Sequence, residues 1–517
     1  MPVTAGQTTP VVRCLDPPAT PPRPEIRARA LSRRSALRAM VAACGSAVVA
    51  GCAATTSGQA RPPATRTRTP LSFATLNAGL WSTAGTTLVM QALWSATEGF
   101  RAQHPSLELS MQPPFAGGPP AVVTALTAGT APDVLMSWTA PWFDWAVHRG
   151  LFVDLTPYLQ QSNRSLEVWP SYAVQAYNVG GRQYALPFYI ATTCQVVNLG
   201  VLDGLGLSYP AVEMPLADWV RLWEAATSHD PSHPRVGGGL HWTATGLPQA
   251  TFSGWGGQIM DQADPARCRL DSPECLAAGN ALFPLLTEGI CQLHGTGGMG
   301  WLPALVGGSL VSAVLWNPAL AIITQVESLI QLPKWDFFLM PSMPRGNFAY
   351  TQHDFRAINA ATRYPDAAWE LLEWLSFEPD FQRVLMRYGL EPPALTSLQP
   401  EYVQTLRQVV PPLQRKNLQA VTHYIRNNGA VPNPFLPVAG VQAEAIMQQG
   451  ELEIIGRKVG VTAGLTQVAQ QVTGLEAAEQ DQVAQEARAF QAEQAAERTA
   501  RRRLPALFAA AGRSGRG

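Results

Sequence analysis

Charge is what this chain has least of. Only 14% of its 517 residues are Asp, Glu, Lys or Arg, and 37 basic residues cancel 37 acidic ones. Without a basic field, nothing in the charge selects nucleic acid as a partner. Lysine is nearly absent, since only Lys334, Lys416 and Lys458 occur among the basic residues. Cysteine is sparse at seven residues, and no CxxC pair exists, which excludes a zinc ribbon. GxSxG, HExxH and GxxxxGK[ST] are all missing, so serine-hydrolase, zincin and P-loop chemistry lack their motifs. His241, His294 and His353 stand alone, and a lone histidine is more often a surface or core residue than a ligand. Asp133, Asp144 and Asp154 are scattered, with no paired carboxylates of the kind glycoside hydrolysis requires. The expectation is a protein that is not an enzyme and carries neither metal nor cofactor.

What the chain does have is apolar surface to bury. Apolar residues make up 46%, a globular composition. Its length calls for two or more domain-sized units. The first 51 residues read as an export signal rather than as fold. Ser32–Met40 is basic, Val41–Gly51 is apolar and small-residued, and Cys52 follows. The apolar run is too short to span a membrane well. Arg33-Arg34 with Leu37-Arg38 resembles a twin-arginine signal, although Ala36 stands where that pattern has Phe. Val49-Ala50-Gly51-Cys52 resembles a bacterial lipobox, which implies a lipid on Cys52 and a mature chain beginning there. Residues 52–70 are polar, Pro-rich and aperiodic, as a tether would be. Cleavage would remove seven arginines and two acids, leaving a mildly acidic exported protein.

Beyond the tether the pattern alternates. Residues 71–76, 107–111 and 132–136 read as strands, and 85–103 and 119–128 as helices. Strand–helix alternation of this kind gives an α/β domain with a largely parallel sheet. Such sheets bind ligands at the carboxyl ends of their strands. Here those ends carry the loops 77–84, 112–118 and 137–144.

An ordered series of motifs follows: Pro132–Trp138 (PDVLMSW), Gly150–Leu159 (GLFVDLTPYL), Gly181–Pro187 (GRQYALP), then Asn198, Gly206, Asp218-Trp219 and Ala367–Leu375 (AAWELLEWL). This series resembles the bacterial extracellular solute-binding proteins that include the maltose-binding protein, over about residues 71–395 and more weakly to 490. The resemblance implies a two-lobed, type II periplasmic-binding-protein-like α/β fold whose lobes are joined by crossing strands. The first crossing is expected near Leu186–Thr192 and the return near Trp335–Pro344. Lobe 1 is then 71–187 with 336–375, lobe 2 is 188–335 with 376–490, and 491–517 is a helical or disordered basic tail. It further implies a monomeric receptor of an ABC importer that delivers its solute, a carbohydrate above all, to permease subunits while anchored to the membrane by its lipid. The family often has Gly-Gly just before the strand expected at Phe355–Asn359. This chain has Thr351-Gln352-His353-Asp354 instead, which should intrude on the cleft.

Aromatics supply the candidate site. A pyranose presents C–H faces that pack on an indole, and hydroxyls that need planar polar partners. The loop tryptophans Trp81, Trp138, Trp255 and Trp316 are the expected platforms. Trp255 sits in Ser253–Gly257 (SGWGG), where glycine would let the backbone approach a ligand closely. Asn77, Ser82, Asp144, Tyr189, Asn317 and His353 are the polar candidates. Trp94, Trp219, Trp223, Trp369 and Trp374 lie on helical patterns and read as core. Asp133, at the start of a buried strand, reads as a structural hydrogen-bond acceptor. Cys268 and Cys275 flank a turn-prone segment, and export would permit a disulfide between them. Two other readings stay open: a receptor for a peptide, polyamine or glycerol phosphate, and an exported glycan-active enzyme.

Overall fold

The computed structural model describes residues 68–482 and 485, apart from 76–82, 114, 116–118, 139–141, 242–248, 262, 265, 295–300, 317–333, 390–391, 427–429 and 433–439. The export signal, Cys52, the loop carrying Asn77, Trp81 and Ser82, Asn317, and the tail from 491 lie outside these residues.

Ten strands form one sheet. In the first lobe Leu107–Met111, Thr69–Thr75 and Val134–Trp138 run parallel, and Val134–Trp138 then pairs antiparallel with Ala349–Ile358. The second lobe mirrors this. Cys291–His294, Val236–His241 and Leu310–Trp316 run parallel, and Leu310–Trp316 pairs antiparallel with the 13-residue strand Leu186–Asn198. Leu186–Asn198 and Ala349–Ile358 also pair with each other, so these two strands carry the sheet from one lobe to the other.

Local sequence explains the helices between the strands. Pro273, Pro365 and Pro379 each occupy a first helical position, where the missing N–H costs nothing. Ser272 accepts from the Cys275 N–H and Glu378 from the Asp380 N–H, capping two of them. In Leu216–Ala226 the buried residues Trp219, Trp223 and Ala226 recur at helical spacing on one face. The Trp223 indole donates to the Ser312 hydroxyl at 2.8 Å. Gly238 beneath it admits the ring, because a Cβ there would stand 2.8 Å from two indole carbons.

Three cores result. One lies under the first lobe, where the Phe143 ring centroid is 4.8–5.5 Å from those of Phe152, Tyr177 and Phe355. A second lies in the second lobe, around Trp219, Trp223, Phe252, Cys275 and Phe283. The third is continuous across both lobes on one face of the crossing strands.

Four sequence expectations need correction. The return crossing is Ala349–Ile358, while Trp335–Phe338 pairs with Gln195–Asn198 at the far end of the first crossing strand. Thr351–Asp354 therefore lies within the crossing strand and not before it. Residues 379–425 do not belong to the second lobe alone. The helix Pro379–Arg387 packs on Thr83–Ala96, and Gln419–Arg426 covers the crossing pair. The Thr192 hydroxyl donates to the Val421 carbonyl at 2.8 Å, and the Tyr424 hydroxyl accepts from the Met340 N–H at 2.8 Å. The first strand begins at Thr69, inside the span 52–70 expected to be tether.

Candidate functional site

The register of the crossing strands defines a floor. Trp138, the last residue of its strand, pairs with Asp354, and Trp316, the last of its own, pairs with Thr193. Both strands run antiparallel to the crossing strand they meet. Their carboxyl ends therefore point toward each other along the crossing pair. Asp354 lies between His353, which pairs with Ile190, and Phe355, which pairs with Pro187, so about 15 Å of strand separates the two ends.

At the same level the pairing is irregular. The register shifts between His353 and Phe355, a bulge in the second crossing strand. Bulges bend a strand and re-aim its side chains, and they concentrate beside functional sites. Just below, Asp354 and Arg356 are buried. The Arg356 guanidinium lies over the Phe188 ring, 3.8 Å from its centroid, and over Phe381 at 5.0 Å. It donates to the Ser376 hydroxyl at 3.3 Å. Burial depresses its pKa, and Tyr189 and Asp354 oppose that shift. The pattern of Ala349–Ile358 gave no warning of a cation inside the first lobe.

The expected site residues separate into groups. Trp138, Trp316 and His353 lie on the floor by backbone position. Trp255 is half-buried against the core of the second lobe. The glycines beside it serve packing. A Cβ on Gly254 would stand 2.2 Å from the Met343 sulfur, and one on Gly257 2.7 Å from the Cys275 sulfur. The close approach expected for a ligand is thus made to the neighbouring hairpin and helix. Tyr189 is buried with its ring stacked on Phe188 at 3.6 Å between centroids. It belongs to the core beneath the floor rather than to an open surface.

Asp144 is also buried, and it lies on the helix Trp142–His148 rather than in a loop. This helix forms a lip of the first lobe and packs against the helix Gly440–Ile455. Burial, with the charge of Glu476 second, pushes the Asp144 carboxyl up to about 8. Glu476 is fully buried, on the helix over 461–482. Sequence reading missed this carboxylate because residues 461–482 look like any Ala/Gln/Glu-rich helix.

Cys268 and Cys275 are free, buried thiols rather than a disulfide. The Cys275 thiol points to the Gln258 carbonyl at 3.5 Å, and both sulfurs sit in the core of the second lobe. Among the described residues, no group of three or more His, Cys, Asp or Glu could hold a metal ion. Nor is any described helix long and apolar enough to cross a membrane.

Residues 96–409 match the family model described as bacterial extracellular solute-binding protein. No curated protein sequence matches the chain. Among solved structures it is similar to an ABC substrate-binding protein of Listeria monocytogenes in complex with cycloalternan. That match has 16% identity and a TM-score of 0.64, and covers 79% of this chain and 98% of the other. It is also similar to the maltose-bound MalE3 of T. maritima, at 18% identity and a TM-score of 0.60, over 79% and 100% of the two chains. A third is UgpB from Mycobacterium tuberculosis in complex with glycerophosphocholine, at 16% identity and a TM-score of 0.59, over 78% and 98%. At this identity the likeness establishes the fold, that of the two-lobed type II periplasmic binding proteins.

Proposed function

Since the chain belongs to the bacterial extracellular solute-binding proteins, we propose that it is the receptor of an ABC-type importer and that its cargo is a carbohydrate. The observation that carries the reading is the convergence of Trp138 and Trp316 on one floor, from opposite lobes. Each lobe supplies half of an aromatic site, so the ligand selects the state in which the lobes close. The indoles of Trp138 and Trp316, with Trp81 and part of Trp255, pack on sugar rings. Asn77, Ser82, Asn317 and His353 take the hydroxyls. Asp144 and Tyr189, being buried, support the lip and the floor. Micromolar affinity, about −8 kcal/mol, is the range such a site reaches. The sugar leaves unaltered, since the reading is of capture without turnover. A lipid on Cys52 holds the exported chain to the membrane, where it meets the permease as a monomer.

Two solved neighbours carry cycloalternan and maltose, and a third carries glycerophosphocholine. Calorimetric titration with maltose, maltotriose and glycerophosphocholine therefore tests the cargo. Saturable binding of a sugar, recovered chemically unchanged after long incubation, is the expected result. Binding of glycerophosphocholine alone assigns the site to a phosphodiester. Cleavage of the sugar makes the protein an enzyme and ends the receptor reading.

A further inference from the structure

The lip helix Trp142–His148 belongs to the first lobe, held there by Phe143, Ala146 and Val147. The helices over 440–455 and 461–482 belong to the second, held by Ala443, Met447, Leu465, Val468 and Val472. The Cys268 N–H donates to the Thr473 hydroxyl at 3.0 Å, and Arg457 to the Thr287 carbonyl at 2.7 Å, which ties both helices further into that lobe. Because the helix Gly440–Ile455 packs on the lip helix, the junction between them is a contact between lobes.

Two glycines set the register of the second-lobe helices. A Cβ on Gly450 would stand 2.1 Å from a Val468 methyl, and one on Gly464 2.6 Å from the Ile454 side chain. Residue numbers rise along one helix as they fall along the other, so the two run antiparallel. That register carries Glu479 back beside the start of the helix Gly440–Ile455. This end lies on the cleft side. The strand Ala430–Pro432 pairs with Ala349–Thr351, which brings the chain to the floor before it enters the helix. The lip helix likewise begins just past Trp138, which pairs with Asp354 on the same floor.

An ion pair spans the junction. Arg149, the residue after the lip helix, has its Nη2 3.8 Å from a carboxylate oxygen of Glu479, and the two side chains are only 19% and 20% exposed. The Arg149 guanidinium also lies over the Trp145 ring, 4.3 Å from its centroid. That stacking holds the arginine in place, which lowers the side-chain entropy an ion pair otherwise loses. A pair this well covered is screened by salt less than one on open surface. We propose that Arg149 and Glu479 are a clasp between the lobes: the pair holds the lip against the C-terminal helices, and its loss lets the lobes part. The clasp touches no ligand. It acts by populating the closed state, and whatever raises that population raises the affinity for cargo. It rests on the two-lobed fold and not on the identity of the cargo.

Small-angle scattering of the ligand-free mature chain tests it. Arg149→Glu and Glu479→Arg each set like charges across the junction, and each should raise the radius of gyration. The double variant restores opposite charges in reversed order, and its radius should return toward that of the unaltered protein. A role in packing alone does not predict this rescue. Glu479→Gln, which removes the charge without repulsion, should give a smaller rise and keeps the test open if a like-charge variant fails to fold. Circular dichroism confirms the fold of each variant. A radius unchanged in every single variant, or a double variant as expanded as the singles, overturns the clasp. No sugar is added, so the outcome is independent of the cargo: a chain that binds no sugar can still show the rescue, and one that binds sugar but keeps its radius in the variants has no clasp.

Discussion

Asp133 accepts two hydrogen bonds from Ser72 through one carboxylate oxygen, from the backbone N–H at 2.8 Å and from the hydroxyl at 2.7 Å. Its other oxygen accepts from the Thr362 hydroxyl at 2.6 Å. Residues far apart in sequence are thereby tied at the start of the strand Val134–Trp138, as the sequence position suggested. Asp133→Ala strands several partly buried donors, and each stranded group costs about 1–3 kcal/mol. A loss of about 2–4 kcal/mol in denaturant unfolding is expected, with cargo affinity retained by the folded fraction. A variant as stable as the parent would show these bonds to be dispensable.

The floor residues should behave oppositely. Trp138→Ala and Trp316→Ala each remove an aromatic platform, and central anchors of this kind are worth roughly 2–4 kcal/mol. Affinity for the bound sugar should fall by that amount, with little change in the thermal midpoint. Trp255→Ala should chiefly lower the midpoint, because that ring packs against the core of the second lobe. Calorimetry and thermal melts on the three variants separate the effects. Unchanged affinity in both floor variants moves the site elsewhere.

Glu451 makes stability depend on pH. Burial pushes its carboxyl from 4.5 up to about 9, and one of its oxygens has no hydrogen-bond partner. The folded state disfavours the ionised form. The penalty is absent below about pH 4.5, grows as pH rises, and is complete near pH 9. At about pH 7 it amounts to at most about 3 kcal/mol. Glu451→Gln should raise the melting temperature at neutral pH and flatten its decline toward alkaline pH. Parallel melting profiles for variant and parent would count against this assignment.

The thiols should be silent until the chain unfolds. Burial pushes Cys268 up to about 12 and Cys275 up to about 11. The thiolate is the reactive form, so a maleimide at neutral pH should leave both unmodified in the native protein. Both should react after denaturation without reductant. Failure to label them under those conditions would mean that oxidation joins them after all.

Anchoring is checked by mass and fractionation. Native mature protein should begin at an acylated Cys52, and Cys52→Ser should move it to the soluble fraction. More than one acyl chain is expected, because a single chain holds a membrane only weakly. An unmodified N-terminus beginning elsewhere rules the anchor out.

Some of the fold was legible locally. Leu107–Met111 alternates in sequence, and its burial alternates in the structure. Trp219 and Trp223 sit a helical turn apart and are fully buried. The first crossing, which the family resemblance puts near Leu186–Thr192, does begin at Leu186. The loop aromatics could be singled out because strand ends are visible in sequence. Whether their rings face one another was not legible, because facing depends on the register between Ala349–Ile358 and Leu186–Asn198.

Sequence by itself determined the α/β alternation, the helix starts at Pro273, Pro365 and Pro379, the family and the structural role of Asp133. Each rests on short-range rules: periodicity, capping, fixed φ, or the order of motifs along the chain. Tertiary structure alone decided which of two segments, 335–338 or 349–358, returns between the lobes. Both have strand character, and only pairing with distant strands distinguishes them. It also decided that the SGWGG glycines admit Met343 and Cys275, and that Asp144 and Glu476 are both buried, with the charge of Glu476 felt at Asp144. Residues 332 positions apart carry no local trace of that influence. The free energy that buries them comes from whole helical faces burying apolar surface, and the two acids are carried inside by that burial.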